Sequence, residues 1–553
     1  MSQIARASFT VFNSLIFVCK IILSVVLFIS LTSLPIIAKT LPSNSHQFFE
    51  NKVFDDKPHI LFAQEKYTTK VNDTKRLQQA LNKASKEFQG GVVILRPAKK
   101  SINKRFRLDR IDVPSNIRLE IDPSVTLEMM GNLKKGKQKG RFLFLVGRSK
   151  SLKKLMKHYI ENVEIRSTDP YRNFTIDSKT NMPIVYNQGG TAETGVNTTR
   201  SIPVGFFYAK NFAISNVTII DNHTESVSVQ MYPDTDYQDG AYAKRGKKRS
   251  DDVFLDGKRG KPLKQNAEGE FIDKQGKVIP DMFAIQRNPT YGRTPIKGSI
   301  KNIKALNSHT GYGVVQAYGA DWVEIRNIEA FNGIAVRIEA GNGAPNDNVN
   351  RCGPYNSSIN NIEISDVKVT NGFTGVWLKA HSKIIKNISV HNILAIDSAT
   401  ALLVEKGTLC RECRDLTRGW MENVKITGDI ILKRTIKDKA VAEVGLIATN
   451  FLAPSERAKL IDKNKDGKIN WLDLPRNKSG KRWYLIQPTA PVLANSQLSA
   501  TEIGDQSDKE GFFAVDYSKA NIQGINLLRP EKILYRNDMY FPDGKHAKKT
   551  INK

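Results

Sequence analysis

Cysteine is scarce, and what there is suits no covalent scaffold. Four occur in 553 residues. Cys19 lies in an apolar N-terminal stretch, which leaves Cys352, Cys410 and Cys413, an odd remainder that permits at most one disulfide. Cys352 and the Cys410/Cys413 pair both sit in loops that follow an outward strand, hence on one side of the stack, so a bridge between them is geometrically plausible. The Cys-x-x-Cys spacing has no second pair and no βαβ context, which argues against a zinc or redox site. Long apolar runs are equally lacking. After Ile21–Ile37 nothing is apolar enough to span a bilayer. That first run, with Arg6 and Lys20 before it and Ala38 after it, reads as a secretory signal peptide over 1–38. An uncleaved anchor is the lesser alternative. The expectation is an exported protein, extracellular or periplasmic, with no stable membrane association. Acidic residues are short too: 84 Lys and Arg face 55 Asp and Glu, a formal net charge of +29. Lys134–Arg141, Lys153–Lys154 and Lys244–Arg249 concentrate it. Such a field attracts polyanions. No nucleic-acid motif is visible, so an acidic or sulfated polysaccharide fits an exported chain better than nucleic acid.

What the sequence has is a repeat. Asn or Asp followed by Ile or Val recurs at Asn162, Asn216, Asn302, Asn327, Asp366, Asn392 and Asn423, and again five residues upstream at Asn361 and Asn387. Two of the gaps, 302 to 327 and 366 to 392, are 25 and 26 residues. That is a solenoid rung, a unit too small to bury its apolar face except by stacking on copies of itself. The expected fold is all-β, a right-handed parallel β-helix with Asn ladders at the turns.

Five strands align within the rungs: Val229–Tyr232, Val315–Tyr318, Val336–Glu339, Val376–Lys379 and Leu402–Glu405. Their first and third residues are apolar and face the core by strand alternation. The second and fourth form outward columns, Gln230/Gln316/Arg337/Trp377 beside Tyr232/Tyr318/Glu339/Lys379/Glu405. A surface of this composition suits a sugar-binding groove. Glu339 is the acid at its centre, flanked by Arg337 and Lys379. The plain structural alternative pairs Glu339 with Lys379 in a surface ion-pair ladder.

The predicted β-helix domain spans 39–430. A capping helix after Asn72-Asp73-Thr74 uses Leu77, Ala80, Leu81, Ala84 and Phe88. A basic insert occupies 233–297, and rungs run to about Thr427. The C-terminal region, 431–553, holds one further rung near Asn521 and an EF-hand-like loop at 462–473. Asp462, Asn464, Asp466, Lys468, Asn470 and Asp473 stand at its ligand positions with Gly467 at the turn, which points to one structural calcium.

The segments His309–Ala320 and Gly333–Glu339 resemble the central rungs of the ι-carrageenases, glycoside hydrolase family 82, and the resemblance extends over about 200–430. It implies an endo-hydrolase of a sulfated galactan that cleaves β-1,4 bonds with inversion. Glu339 is then the general acid, Gln316 an active-site residue, and His381 the counterpart of an active-site His. The family pattern puts an Asp base two residues after the acid, where this chain has Gly341. Asp347 is the candidate replacement, with His381 as rival. A polysaccharide lyase on the same fold, using Lys379 or Arg337 as base, and a non-catalytic polysaccharide-binding β-helix are the competing readings. The protein is expected to act as a monomer.

Overall fold

The computed structural model describes residues 48–54, 57–68, 70–130, 132–134, 137–139, 142–148, 158–178, 201–221, 226–233, 264–265, 271–272, 294–308, 312–340, 358–380, 384–405, 420–435, 442–443, 485–486, 488–494, 513–528 and 530–535. All belong to one compact unit, Ser45–Lys553. The Asp347 and His381 candidates, Gly341, three cysteines, the calcium loop, the leader and most of the basic insert lie outside the described residues. Among the described residues no helix is long and apolar enough to cross a membrane.

The chain alternates between two sheets. Ile296–Leu306 lies in a back sheet, Gly313–Ala317 in a front sheet, Ala320–Phe331 in the back, Ile334–Glu339 in the front, and so on through Thr400–Glu405. Each strand pairs in parallel with its counterpart one coil away, and the two sheets reach 14 and 10 strands. This is a parallel β-helix, the fold class expected from the repeat. Its core is the inward-facing Val, Ile, Leu and Ala, among them Val315, Val336, Val376 and Leu402 in front and Ile300, Ile325, Ile364 and Val390 behind, all essentially without exposure. Burying one such side chain contributes roughly 1.5–3 kcal/mol, and no single rung could do so without its neighbours.

The repeated Asn/Asp positions are the corners. All nine have a left-handed backbone, φ between 49° and 57°, a conformation that Asn and Asp tolerate better than other side-chain-bearing residues. Their carboxamides hydrogen-bond from coil to coil: Asn327 Nδ2 donates to Asn302 Oδ1 at 2.8 Å, Asn392 Nδ2 to Asp366 Oδ1 at 3.1 Å, and Asn423 Nδ2 to Asn387 Oδ1 at 2.7 Å. In the column of Asn116, Asn162, Asn211, Asn361, Asn387 and Asn423 the series lapses twice. Lys297 and Trp322 take the left-handed corner there, with φ of 56° and 54°, and without a carboxamide each costs about 1–2 kcal/mol.

Helix α1 (Thr74–Ala84) covers the first coils with Leu77, Leu81 and Ala84. Phe88, expected on its apolar face, is 99% exposed, because the helix stops at Ala84. Asp73 makes no capping bond. Its buried carboxylate instead accepts from Arg76 Nη2 at 2.8 Å and Gln64 Nε2 at 2.9 Å, while Asn72 Oδ1 takes the Thr74 N–H at 3.0 Å. At the other end the stack runs past Thr427, and a strand lies where the further rung near Asn521 was expected. Trp420–Lys433 pairs with Phe513–Ile525, and Val492–Ala494 and Ile533–Tyr535 extend the front sheet.

Candidate active site

The five aligned front strands stand in the expected register: Val229, Val315, Val336, Val376 and Leu402 are successive partners. Gln230, Gln316, Arg337 and Trp377 therefore form one column and Glu339, Lys379 and Glu405 another.

The columns are not an open surface. Gln316 is 0% exposed, Trp377 1% and Glu339 4%. Gln230, Tyr232, Tyr318, Arg337 and Glu405 are also buried, and Lys379 is half-buried. A buried polar group must be hydrogen-bonded or it destabilises the fold, and most of the column side chains are paired accordingly. Gln316 Nε2 donates to Glu339 Oε2 at 2.9 Å, while Gln316 Oε1 accepts the Gly313 N–H at 3.1 Å, which fixes the orientation of the amide. Arg337 Nη2 meets the same Glu339 oxygen at 2.7 Å. The partner of Glu339 is thus Arg337 on its own strand and not Lys379. Lys379 Nζ lies 3.1 Å from Glu405 Oε2, one coil further on.

Between these two pairs stands Trp377. The Arg337 guanidinium lies 4.1 Å from its ring centroid, and its indole N–H donates to Glu405 Oε2 at 3.1 Å. Phe373 packs edge-on against it at 5.9 Å. A continuous buried chain results, from Gln316 through Glu339, Arg337, Trp377 and Glu405 to Lys379. Glu405 stood in the aligned column, yet its part became visible only with the register, since nothing local marks it as the acceptor for an indole one coil away. In the other direction the second column becomes aromatic. Tyr318 lies 5.1 Å from Tyr232, and Tyr232 lies 5.8 Å from Phe207. Gln230, in register with Gln316, keeps its Oε1 buried without a hydrogen-bond partner.

Chemically, the arrangement holds one oxygen of a buried carboxyl group. Among the described residues no cluster of three or more His, Cys, Asp or Glu could hold a metal ion.

No family model matches the chain. Two curated relatives do, both ι-carrageenases. The one from Zobellia galactanivorans is 24% identical over 378 residues, 66% of this chain and 59% of that protein. The one from Alteromonas macleodii is 29% identical over 110 residues, 20% of this chain and 21% of that protein. The chain thus matches less than two thirds of either relative's length. Among solved structures, a 1,3-α-1,4-β-D-galactose-4-sulfate-3,6-anhydro-D-galactose-2-sulfate 4 galactohydrolase superposes with a TM-score of 0.58 at 17% identity, covering 91% of this chain and 95% of the other. An ι-carrageenase complexed to ι-carrageenan fragments superposes with a TM-score of 0.57 at 16% identity, covering 90% and 94%. At such identities the structures speak for the fold alone: the chain is similar in sequence to two curated ι-carrageenases and shares the parallel β-helix of the solved ones.

Proposed function

We propose that the protein is a secreted endo-hydrolase of a sulfated galactan resembling ι-carrageenan, cleaving β-1,4 bonds with inversion, and that Glu339 is its proton donor. The observation that carries this reading is the shared grip of Gln316 Nε2 and Arg337 Nη2 on Glu339 Oε2. The Glu339 carboxyl delivers its proton to the glycosidic oxygen as the bond to the anomeric carbon breaks, and the two donors then stabilise the carboxylate left behind. Inversion further requires a base roughly 6.5–9.5 Å from the acid to activate a water on the opposite face of the sugar. Gly341 has no side chain to serve. Asp347 is the candidate base and His381 its rival.

Recognition of sulfate follows from charge. Arg337 and Lys379 are the cations beside Glu339 and Glu405, and guanidinium and ammonium N–H groups suit sulfate oxygens. The net charge of +29 supplies the long-range attraction. The aromatic run Tyr318, Tyr232 and Phe207 and the unpartnered Gln230 Oε1 extend the site along the stack. Spacing alone supports a structural calcium at 462–473, and the apolar run at 21–37 supports export.

Incubation with ι-, κ- and λ-carrageenan and with agarose, followed by assay of reducing ends, tests the reading. Release is expected from a sulfated galactan and little from agarose. Glu339→Gln should lower it by at least about 10² with polymer binding retained. An unsaturated product absorbing in the ultraviolet would assign the protein to lyases instead. Near-wild-type turnover of the Gln variant would remove Glu339 from the chemistry.

A further inference from the structure

The corner column that lapses at Lys297 and Trp322 is not bare. Residues 48–54, which belong to no strand, lie against it. Phe54 is buried and has the Arg118 guanidinium 4.8 Å from its ring. Lys52 Nζ donates to Asn116 Oδ1 at 2.7 Å, and the Lys52 carbonyl accepts from Arg118 Nη2 at 3.3 Å. The Glu50 N–H donates to Asn211 Oδ1 at 2.8 Å, and its carbonyl accepts from Asn211 Nδ2 at 3.0 Å. Glu50 Oε1 lies 2.8 Å from Lys297 Nζ, and the buried Phe48 ring is 6.1 Å from that of Trp322.

These contacts follow the helix axis. Arg118, Asn211, Lys297 and Trp322 belong to or border back-sheet strands that are four coil steps apart from first to last. Four steps of about 4.8 Å make about 19 Å, and the six residue steps from Phe48 to Phe54 at about 3.3 Å make about 20 Å. The segment is thus an extended chain lying across the rungs. Its match to the corner is chemical as well as metric. Asn162 Nδ2 donates to Asn116 Oδ1 and Asn211 Nδ2 to Asn162 Oδ1, both at 2.8 Å. The next carboxamide, absent because the residue is Lys297, would have donated to Asn211 Oδ1. The Glu50 N–H makes that bond. Beyond the lapse the ladder restarts from Asp321, whose Oδ1 accepts from Asn361 Nδ2 at 3.0 Å.

We propose that this corner is a docking site for an extended peptide, filled by the chain's own residues 48–54, and that its occupancy controls local opening of the coils that carry Gln316 and Glu339. The coupling follows from connectivity. Lys297 lies in the back strand Ile296–Leu306 and Trp322 in Ala320–Phe331. Gly313–Ala317 and Ile334–Glu339, with Gln316 and Glu339, directly follow them in the chain. At Lys297 and Trp322 these two coils lack the ladder bonds of this corner, and the docked segment braces both. It is held by a few side-chain-mediated bonds and two buried rings, not by a sheet ladder, so it belongs to the parts of a fold that open first.

The test requires no enzymatic assay. A protease recognition sequence is placed between Phe54 and Lys57, and the full chain is folded intact and only then cut. Hydrogen exchange is followed in 296–306 and 320–331 and, as distant controls, in 384–396 and 420–433. Loss of the N-terminal fragment on gel filtration should accelerate exchange at least about tenfold in the first pair only. A synthetic peptide of residues 45–56 should restore protection, and the same peptide with Phe48→Ala should not. If the fragment stays bound after cutting, the docking site is supported, and the Phe48→Ala version of the cut protein then supplies the release. Unchanged exchange after release would overturn the proposal. So would equal acceleration in all four strands, which would make the segment a support of global stability only.

Discussion

Asp321→Asn should make the protein more stable at neutral pH and somewhat less stable in acid. The Asp321 side chain is buried at the lapse in the corner ladder. Burial pushes its carboxyl up from 3.8 to about 6, against hydrogen bonds from Asn361 Nδ2 and the Trp322 N–H that pull it down. Because the folded state holds this proton more tightly than the unfolded chain, the stabilisation is fully present below pH 3.8. It is lost as pH rises through about 6. At about 1.36 kcal/mol per pH unit, the interval corresponds to about 3 kcal/mol by pH 8. Asparagine keeps the acceptor for Asn361 and removes the buried charge, but its own N–H groups must be accommodated, so the net gain should be about 1–2 kcal/mol. For a chain of this size that is about 1–2 °C in calorimetric Tm. Scans of both proteins from pH 4 to 8 would show the wild type losing stability between pH 4 and 7 relative to the variant. Parallel curves, or a variant equally destabilised at both extremes, would refute the reasoning.

The corner ladder predicts an order of effects at Asn387, whose Nδ2 donates to Asn360 and Asn361 and whose Oδ1 accepts from Asn423. Alanine loses these bonds and strains the corner, at about 2–4 kcal/mol. Glycine loses only the bonds and should be milder in denaturant unfolding, whereas a glycine variant less stable than alanine would contradict the backbone argument. Trp377→Phe removes the indole N–H bonded to Glu405 and reduces the plane under Arg337. Turnover should fall about tenfold with little change in KM, and unaltered kinetics would leave the stack without a positioning role. Chelation should lower Tm if the 462–473 loop holds calcium in the folded state, and Asp462→Ala should abolish that sensitivity. Superimposable melts of the wild type with and without chelator would dispose of the site.

Part of the architecture is written locally. A left-handed corner favours Asn or Asp within its own tripeptide, so every repeat position found in the sequence is a corner in the structure. Strand alternation likewise fixed the register of the five front strands. The rest depends on which coil lies beside which. That Glu339 takes Arg337 and Gln316 as partners while Lys379 turns to Glu405 follows from rotamers and coil neighbours, which no local pattern states. Lys297 and Trp322 stayed hidden for the opposite reason, since their residue types do not suit the backbone they adopt. Residues 48–54 gave no signal because their partners are up to 274 positions away.

The buried chain around Glu339 draws its six side chains from four successive coils: Gln316, then Arg337 with Glu339, then Trp377 with Lys379, then Glu405. Solenoid lineages diversify by duplicating or deleting whole repeats, and a designer lengthening the molecule would do the same. Between Gly313 and Glu405 that freedom is closed. One extra coil there would preserve every corner and every apolar contact while moving an amide, a guanidinium or an indole about 4.8 Å from its partner. Repeats can be gained or lost only on either side of this stretch, so it should stay constant in coil number even where the ends of the stack differ in length.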